Sequence, residues 1–194
     1  MKHTHKSSLR RGLAAAALAG GALTLALAGG PAASAGAGAE VAKAPATVTM
    51  QFKRGEFSFS GAKRVRAGRR LRIRNNTNPR MVGPHTFTLV RKALLPDTRK
   101  EQRQCFTPGK ICLTGATAHE FDEETEQIGR PLVKAGKRGW DRPFGSKRKG
   151  DSWYTEAADE TFAQRVSARP GRTLYYMCII HPEMQGKIKV LRRR

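Results

Sequence analysis

The sequence predicts an all-β sandwich. Short segments of alternating apolar and polar residues recur along the chain, bounded by Gly, Pro and Asn turns. No stretch keeps a helical 3.6-residue apolar period. A third observation, a tight Cys, His and Met spacing just before the last such segment, places chemistry at one end of the predicted sandwich.

The first segment is Thr47–Phe52, where Val48, Met50 and Phe52 alternate with polar residues. Phe57 and Phe59 repeat the pattern across the turn at Gly55. In "GRRLRIRN", Leu71 and Ile73 point inward, and Arg70, Arg72 and Arg74 point to solvent. "HTFTLV" places His85, Phe87 and Leu89 on one face, behind the turn-forming Gly83 and Pro84. Glu160–Val166, Thr173–Cys178 and Gly186–Leu191 complete the set.

The ends and the middle of the chain read differently. Residues 1–35 have the pattern of an export signal. A basic start holds Lys2, Lys6, Arg10 and Arg11, an apolar run spans Leu13–Ala28, and an Ala-x-Ala cleavage site ends at Ala35. The mature part, 36–194, is expected to form a single domain. Within it, residues 97–160 depart from the strand pattern and carry 12 basic and 12 acidic residues. This stretch reads as an inserted excursion on the sandwich. Its acidic run, His119–Glu126, is expected to lie against the basic sandwich.

The net charge of +22 falls to +18 once the leader is removed, and all of that excess lies outside 97–160. Such a balance suggests nucleic acid first. An exported chain without aromatics interleaved in a basic stripe argues against it. The basic face is read as solvating, and as attractive to an anionic redox partner or an anionic envelope surface.

Three cysteines survive signal cleavage: Cys105, Cys112 and Cys178. An odd count in an oxidising compartment implies one pair and one remainder. Cys105 and Cys112 flank a Pro-Gly turn and are expected to form a disulfide. A second metal site built from these two and His119 is the alternative, at a spacing that is not a standard zinc pattern.

Cys178 opens "CIIHPEM", where Cys178, His181 and Met184 follow at three-residue steps. Zinc rarely takes a thioether, whereas copper accepts thiolate, imidazole and thioether together. Two His, one Cys and a weak axial Met form the donor set of blue-copper sites. With His3 and His5 in the leader, the second imidazole must come from His85 or His119. The strand position of His85 favours it over His119, which lies in a polar acidic stretch. Glu183 is a minor rival to Met184 for the axial position. Taken singly, each residue also reads as ordinary core.

With these residues in place, the chain resembles a cupredoxin of the plastocyanin, pseudoazurin and amicyanin kind. The resemblance covers roughly residues 46–95 and 161–191, and the Cys-x-x-His-x-x-Met loop with Pro182 is most similar to amicyanin. It implies a Greek-key cupredoxin-like β-sandwich, here with a long insertion between His85 and the Cys-His-Met loop. It also implies one type 1 copper ion held by His85, Cys178, His181 and Met184, with His181 as the electron exit. The expected role is an exported, periplasmic or cell-envelope single-electron carrier, not an enzyme, because further His-rich copper sites are missing. A copper carrier or buffer with the same ligands, and a copper-free envelope-binding sandwich, are the alternatives. Thr86, beside a ligand, is the expected tie between the two ligand loops.

Overall fold

The inward-facing residues of the predicted strands meet between two sheets in a computed structural model that describes residues 44–134, 139–145 and 148–193. The export signal predicted over residues 1–35 lies outside the described residues. No helix among the described residues is long and apolar enough to cross a membrane.

The first sheet contains β1 (Ala46–Lys53), β2 (Glu56–Gly61), β4 (Arg70–Asn76) and β10 (Thr161–Arg165), in the order β10-β4-β1-β2. The second contains β3 (Arg64–Arg66), β5 (His85–Val90), β8 (Leu132–Val133), β9 (Ser152–Thr155), β11 (Thr173–Met177) and β12 (Gln185–Leu191). Its order is β3-β12-β11-β5-β9-β8. Two short strands, β6 (Phe121–Asp122) and β7 (Gln127–Ile128), form a separate hairpin. Three short helices complete the set: α1 (Pro79–Val82), α2 (Arg99–Arg103) and α3 (Ile111–Ala118).

The two sheets bury one core between them. Val48, Met50, Leu71 and Ile73 from the first face Phe87, Leu89, Tyr176 and Ile188 from the second. Phe52 continues the alternation of β1 but lies beyond the end of the sandwich, where it is 41% exposed and rests on Phe57. The turn joining β1 to β2 has left-handed φ at both Arg54 (54°) and Gly55 (81°). That is the geometry of a two-residue hairpin whose twist matches its strands.

The outer faces of the sheets differ. The first presents the polar residues of β4 and β10 to solvent, so its strands alternate cleanly. The second is covered by the segment between β5 and β9, so β5 is buried at every position. Here Val90, Met177 and Ile179 pack against Cys105, Ile111, Cys112 and Phe144 in a second core. The "TLYYM" of β11 is apolar on both faces for this reason.

The Cys105–Cys112 disulfide is present, with the two Cα atoms 5.1 Å apart. It ties the chain after α2 to the first turn of α3. Replacing both cysteines with Ala should lower stability by about 2 kcal/mol, the chain-entropy value for so small a loop. The check is the unfolding free energy of the double variant from urea denaturation, with the slope fitted separately for each protein.

Two expectations about the middle segment need correction. Residues 97–160 are not an excursion throughout. Trp140 is fully buried in the main core against Phe87, and β9 pairs with β5 inside the second sheet. The acidic run does not lie on the basic sandwich either. It forms the exposed β6–β7 hairpin, where Asp122 accepts from the backbone of Glu124 and Thr125, and Glu120 pairs with Arg130 of the same segment. Local turn bonds satisfy these acids, so weak, screened attraction to a distant basic face has little to add.

Candidate metal centre

His85 opens β5, and Cys178 follows directly on the neighbouring strand β11. The loop leaving Cys178 turns back at once, because Met184 N–H donates to the His181 carbonyl (2.8 Å) and Cys178 N–H donates to the Met184 carbonyl (2.9 Å). The result gathers His85, Cys178 and His181, with their ligand atoms within 4.8 Å of one another. Both imidazoles turn Nδ1 toward the sulfur, at 3.9 Å for His85 and 3.6 Å for His181. Met184 is fully buried in the same loop.

Burial sets the protonation of the site. Cys178 is completely buried, which pushes its thiol up from the ordinary range. His85 is lowered to about 4 by burial and by the like charge of His181. Burial lowers His181 as well. Both imidazoles are therefore neutral near pH 7, as metal ligation requires, and a metal ion would displace the thiol proton. Two neutral Nδ1 atoms converging on one buried sulfur, with a buried thioether in the same loop, fit a soft borderline ion such as copper.

Thr86 makes the tie the sequence suggests. Its N–H donates to Cys178 Sγ (3.3 Å), and its hydroxyl oxygen accepts from Ile179 N–H (2.8 Å). Asn75, at the end of β4, accepts from the Thr77 N–H and hydroxyl and donates to the Ala157 carbonyl.

Two residues of the site are not legible in the sequence. Phe57 stacks on the His181 ring with centroids 3.8 Å apart and meets His85 edge-on at 5.6 Å. Its alternation with Phe59 predicts ordinary core; the β1–β2 turn carries it over the imidazoles instead. His119 is the second. The structure separates it from the metal cluster and buries it in the middle segment. Its Nδ1 lies 2.6 Å from the Arg130 carbonyl and its Nε2 2.7 Å from the Ser152 hydroxyl. Nδ1–H therefore donates, and Nε2 accepts. Ser152 lies 2.6 Å from the Thr88 hydroxyl, and the Thr88 and Thr86 hydroxyl oxygens are 3.0 Å apart. A buried polar chain thus joins the middle segment to the cysteine loop. The alternative metal site of His119 with Cys105 and Cys112 is closed, because both sulfurs are in the disulfide and both ring nitrogens are engaged.

Val82, Pro84, Ile180 and Pro182, in the segments that flank His85 and His181, are half-buried, and Met81 is 80% exposed. Ile179 points into the second core, where a Cβ on Gly115 of α3 would collide with it. Between the ligand loops and the middle segment lies a cleft of about 660 Å³, lined by Pro84, Ile180, Phe106, Phe121 and Tyr154 among others.

The histidines predict a pH response of the metal-free protein. His85, His119 and His181 all bind protons less readily folded than at their ordinary value of 6.5. The unfolded chain then takes up more protons as pH falls through 6.5 toward 4, and the fold loses stability. Asp151 opposes this. Burial raises it to about 6, so its contribution is lost as pH rises through that value. Melting temperature should therefore fall on acidification from pH 7 to 4.5, and Asp151→Asn should steepen the fall. A flat profile would show that the imidazoles are not held neutral.

No protein-family model matches the chain, and comparison with curated proteins finds no match. Among solved structures, it is similar to auracyanin A, a "blue" copper protein from the green thermophilic photosynthetic bacterium Chloroflexus aurantiacus. The two are 19% identical over 76% of this chain and 99% of that one, with a TM-score of 0.36. Auracyanin B is 14% identical over 77% and 92% of the two chains, with a TM-score of 0.38. The reduced auracyanin of Roseiflexus castenholzii is 12% identical over 76% and 98%, with a TM-score of 0.34. At these levels of likeness the chemistry of the site rests on its own residues. What the chain's own residues show is a β-sandwich of two facing sheets, with His85 opening one strand and Cys178 and His181 beside the next.

Proposed function

We propose that the chain is an exported type 1 copper protein that carries single electrons, with His85, Cys178, His181 and Met184 holding one ion. The observation that supports this best is the convergence of both imidazole Nδ1 atoms on the buried Cys178 sulfur. A bound copper ion supplies a one-electron couple. The residues around it supply rigidity. Thr86 fixes the sulfur through its N–H and fixes the next residue through its hydroxyl. The two loop hydrogen bonds lock Met184 to Cys178 and His181. A site held this firmly changes little between charge states, which keeps the reorganisation of electron transfer small. Phe57 and the half-buried His181 leave one imidazole edge near the surface, the place where an electron leaves or enters. The apolar rim around it suits brief contact with a redox partner.

The test is to add Cu(II) to the purified protein. An intense visible band from Cys178 thiolate charge transfer, at one ion per chain and bleached reversibly by one electron, supports the carrier of electrons. Tight stoichiometric Cu(I) without colour with Cu(II) would favour a carrier of copper. No copper uptake would end both readings.

A further inference from the structure

Five arginines line one concavity beside the end of β12 that is farther from the metal loop. β12 leaves that loop at Gln185 and ends at Leu191, six steps later or about 20 Å at strand rise. Leu191 lines a trough of about 710 Å³ that Arg64, Arg66, Arg69, Arg70 and Arg72 surround. Its floor is built from small residues, including Ala46, Ala62 and Ala163, which is why a concavity exists there. No carboxylate lines it. The ion pairs found among the described residues, Arg74–Asp159 and Arg130–Glu120, involve none of these five arginines. Arg66 donates to the Arg192 carbonyl, and the Arg193 side chain packs on Gly68.

Five guanidinium groups around one concavity repel each other, and an anion bound there would relieve that repulsion as well as accept their hydrogen bonds. Guanidinium forks match phosphate oxygens in pairs. None of the exposed large hydrophobics, Phe52, Met81, Phe106 and Phe121, lines the trough. A bilayer would want a flat face with apolar anchors. Nor does any aromatic residue line it on which a nucleic-acid base would stack. We propose that this trough binds a linear phosphate polymer through its successive phosphates, leaving the metal end facing away. The proposal is independent of the copper reading.

The experiment measures binding of the full chain to long-chain inorganic polyphosphate at several salt concentrations. The triple variant Arg64→Gln, Arg69→Gln, Arg72→Gln should bind at least tenfold more weakly, and its salt dependence should flatten by roughly 0.7 per arginine removed. A control with the same charge change elsewhere, Lys53→Gln, Lys100→Gln, Arg103→Gln, should stay within twofold of the parent. Equal losses in the two variants would mean that net charge alone attracts the polymer, and would overturn the site. Equal or tighter binding to vesicles of anionic phospholipid, or to single-stranded DNA of equal charge, would overturn the choice of ligand. Weaker binding to both supports it.

Discussion

Cys178→Ala should lose the visible band that copper gives the parent protein, and its Cu(II) affinity should fall more than about 100-fold. Loss of a group that merely orients a ligand already costs 10–100-fold, and Cys178 is the sulfur on which both imidazoles converge. The fold should survive. The side chain is small and fully buried, and its removal leaves a small void and the Thr86 N–H without its acceptor. Together these cost about 1–3 kcal/mol. Circular dichroism of the metal-free variant should match the parent, and equilibrium dialysis reads the affinity. Thr86→Val tests the support separately. It keeps the N–H to sulfur but orphans the Ile179 N–H, so colour should persist with a shifted band and a tenfold or greater loss of affinity. A band retained by Cys178→Ala would remove the sulfur from the site and the blue-copper reading with it.

The clustering of His85, Cys178 and His181 was legible in the sequence because its members are locally marked. Cys178 and His181 are three positions apart, and His85 is marked by the alternation of β5. β1, β2, β4, β10 and β12 were legible because a half-buried strand prints its two faces onto a period of two; β5 and β11, covered on both faces, were legible from aromatic and β-branched residues between turns. What stayed hidden depends on distant packing. β9 is four residues long and buried on both faces, so "SWYT" shows no alternation to separate it from the loop before it. β8 has only two residues. Phe57 read as core because nothing local reports that the β1–β2 turn hangs over the imidazoles. His119 read as a polar loop residue because its partners, Arg130 and Ser152, are 11 and 33 positions away. The charge of the middle segment sums to zero, which suggests a separate piece, while its Trp140, Phe144 and Trp153 suggest docking, and all three are buried; what the sequence does not show is that they build the sheet and core themselves.

That last difference sets the largest effect expected of any change considered. If residues 97–160 were a docked cover, their excision would leave a folded sandwich that still binds copper. The structure predicts otherwise. The excised piece contains β9, which pairs with β5 from His85 to Thr88 in the strand that carries the first ligand. It contains Trp140, packed on Phe87 and Phe162 in the main core. It also contains the whole opposing side of the second core that shields Val90, Met177 and Ile179. Losing a buried Trp or Phe alone costs about 3–5 kcal/mol, and several go together, against a typical total stability of about 5–15 kcal/mol. The excised protein should fail to fold, with no cooperative melting transition and no coloured copper complex. A shorter cut separates the parts. Replacing residues 122–127 with a two-residue turn removes only the exposed tip of the β6–β7 hairpin and retains His119, Arg130 and the Glu120–Arg130 pair. That variant should melt within a few degrees of the parent and keep its copper spectrum. A folded, copper-binding protein lacking 97–160 would show that the cover and the sandwich are energetically separable, and that β9 lends β5 no necessary support.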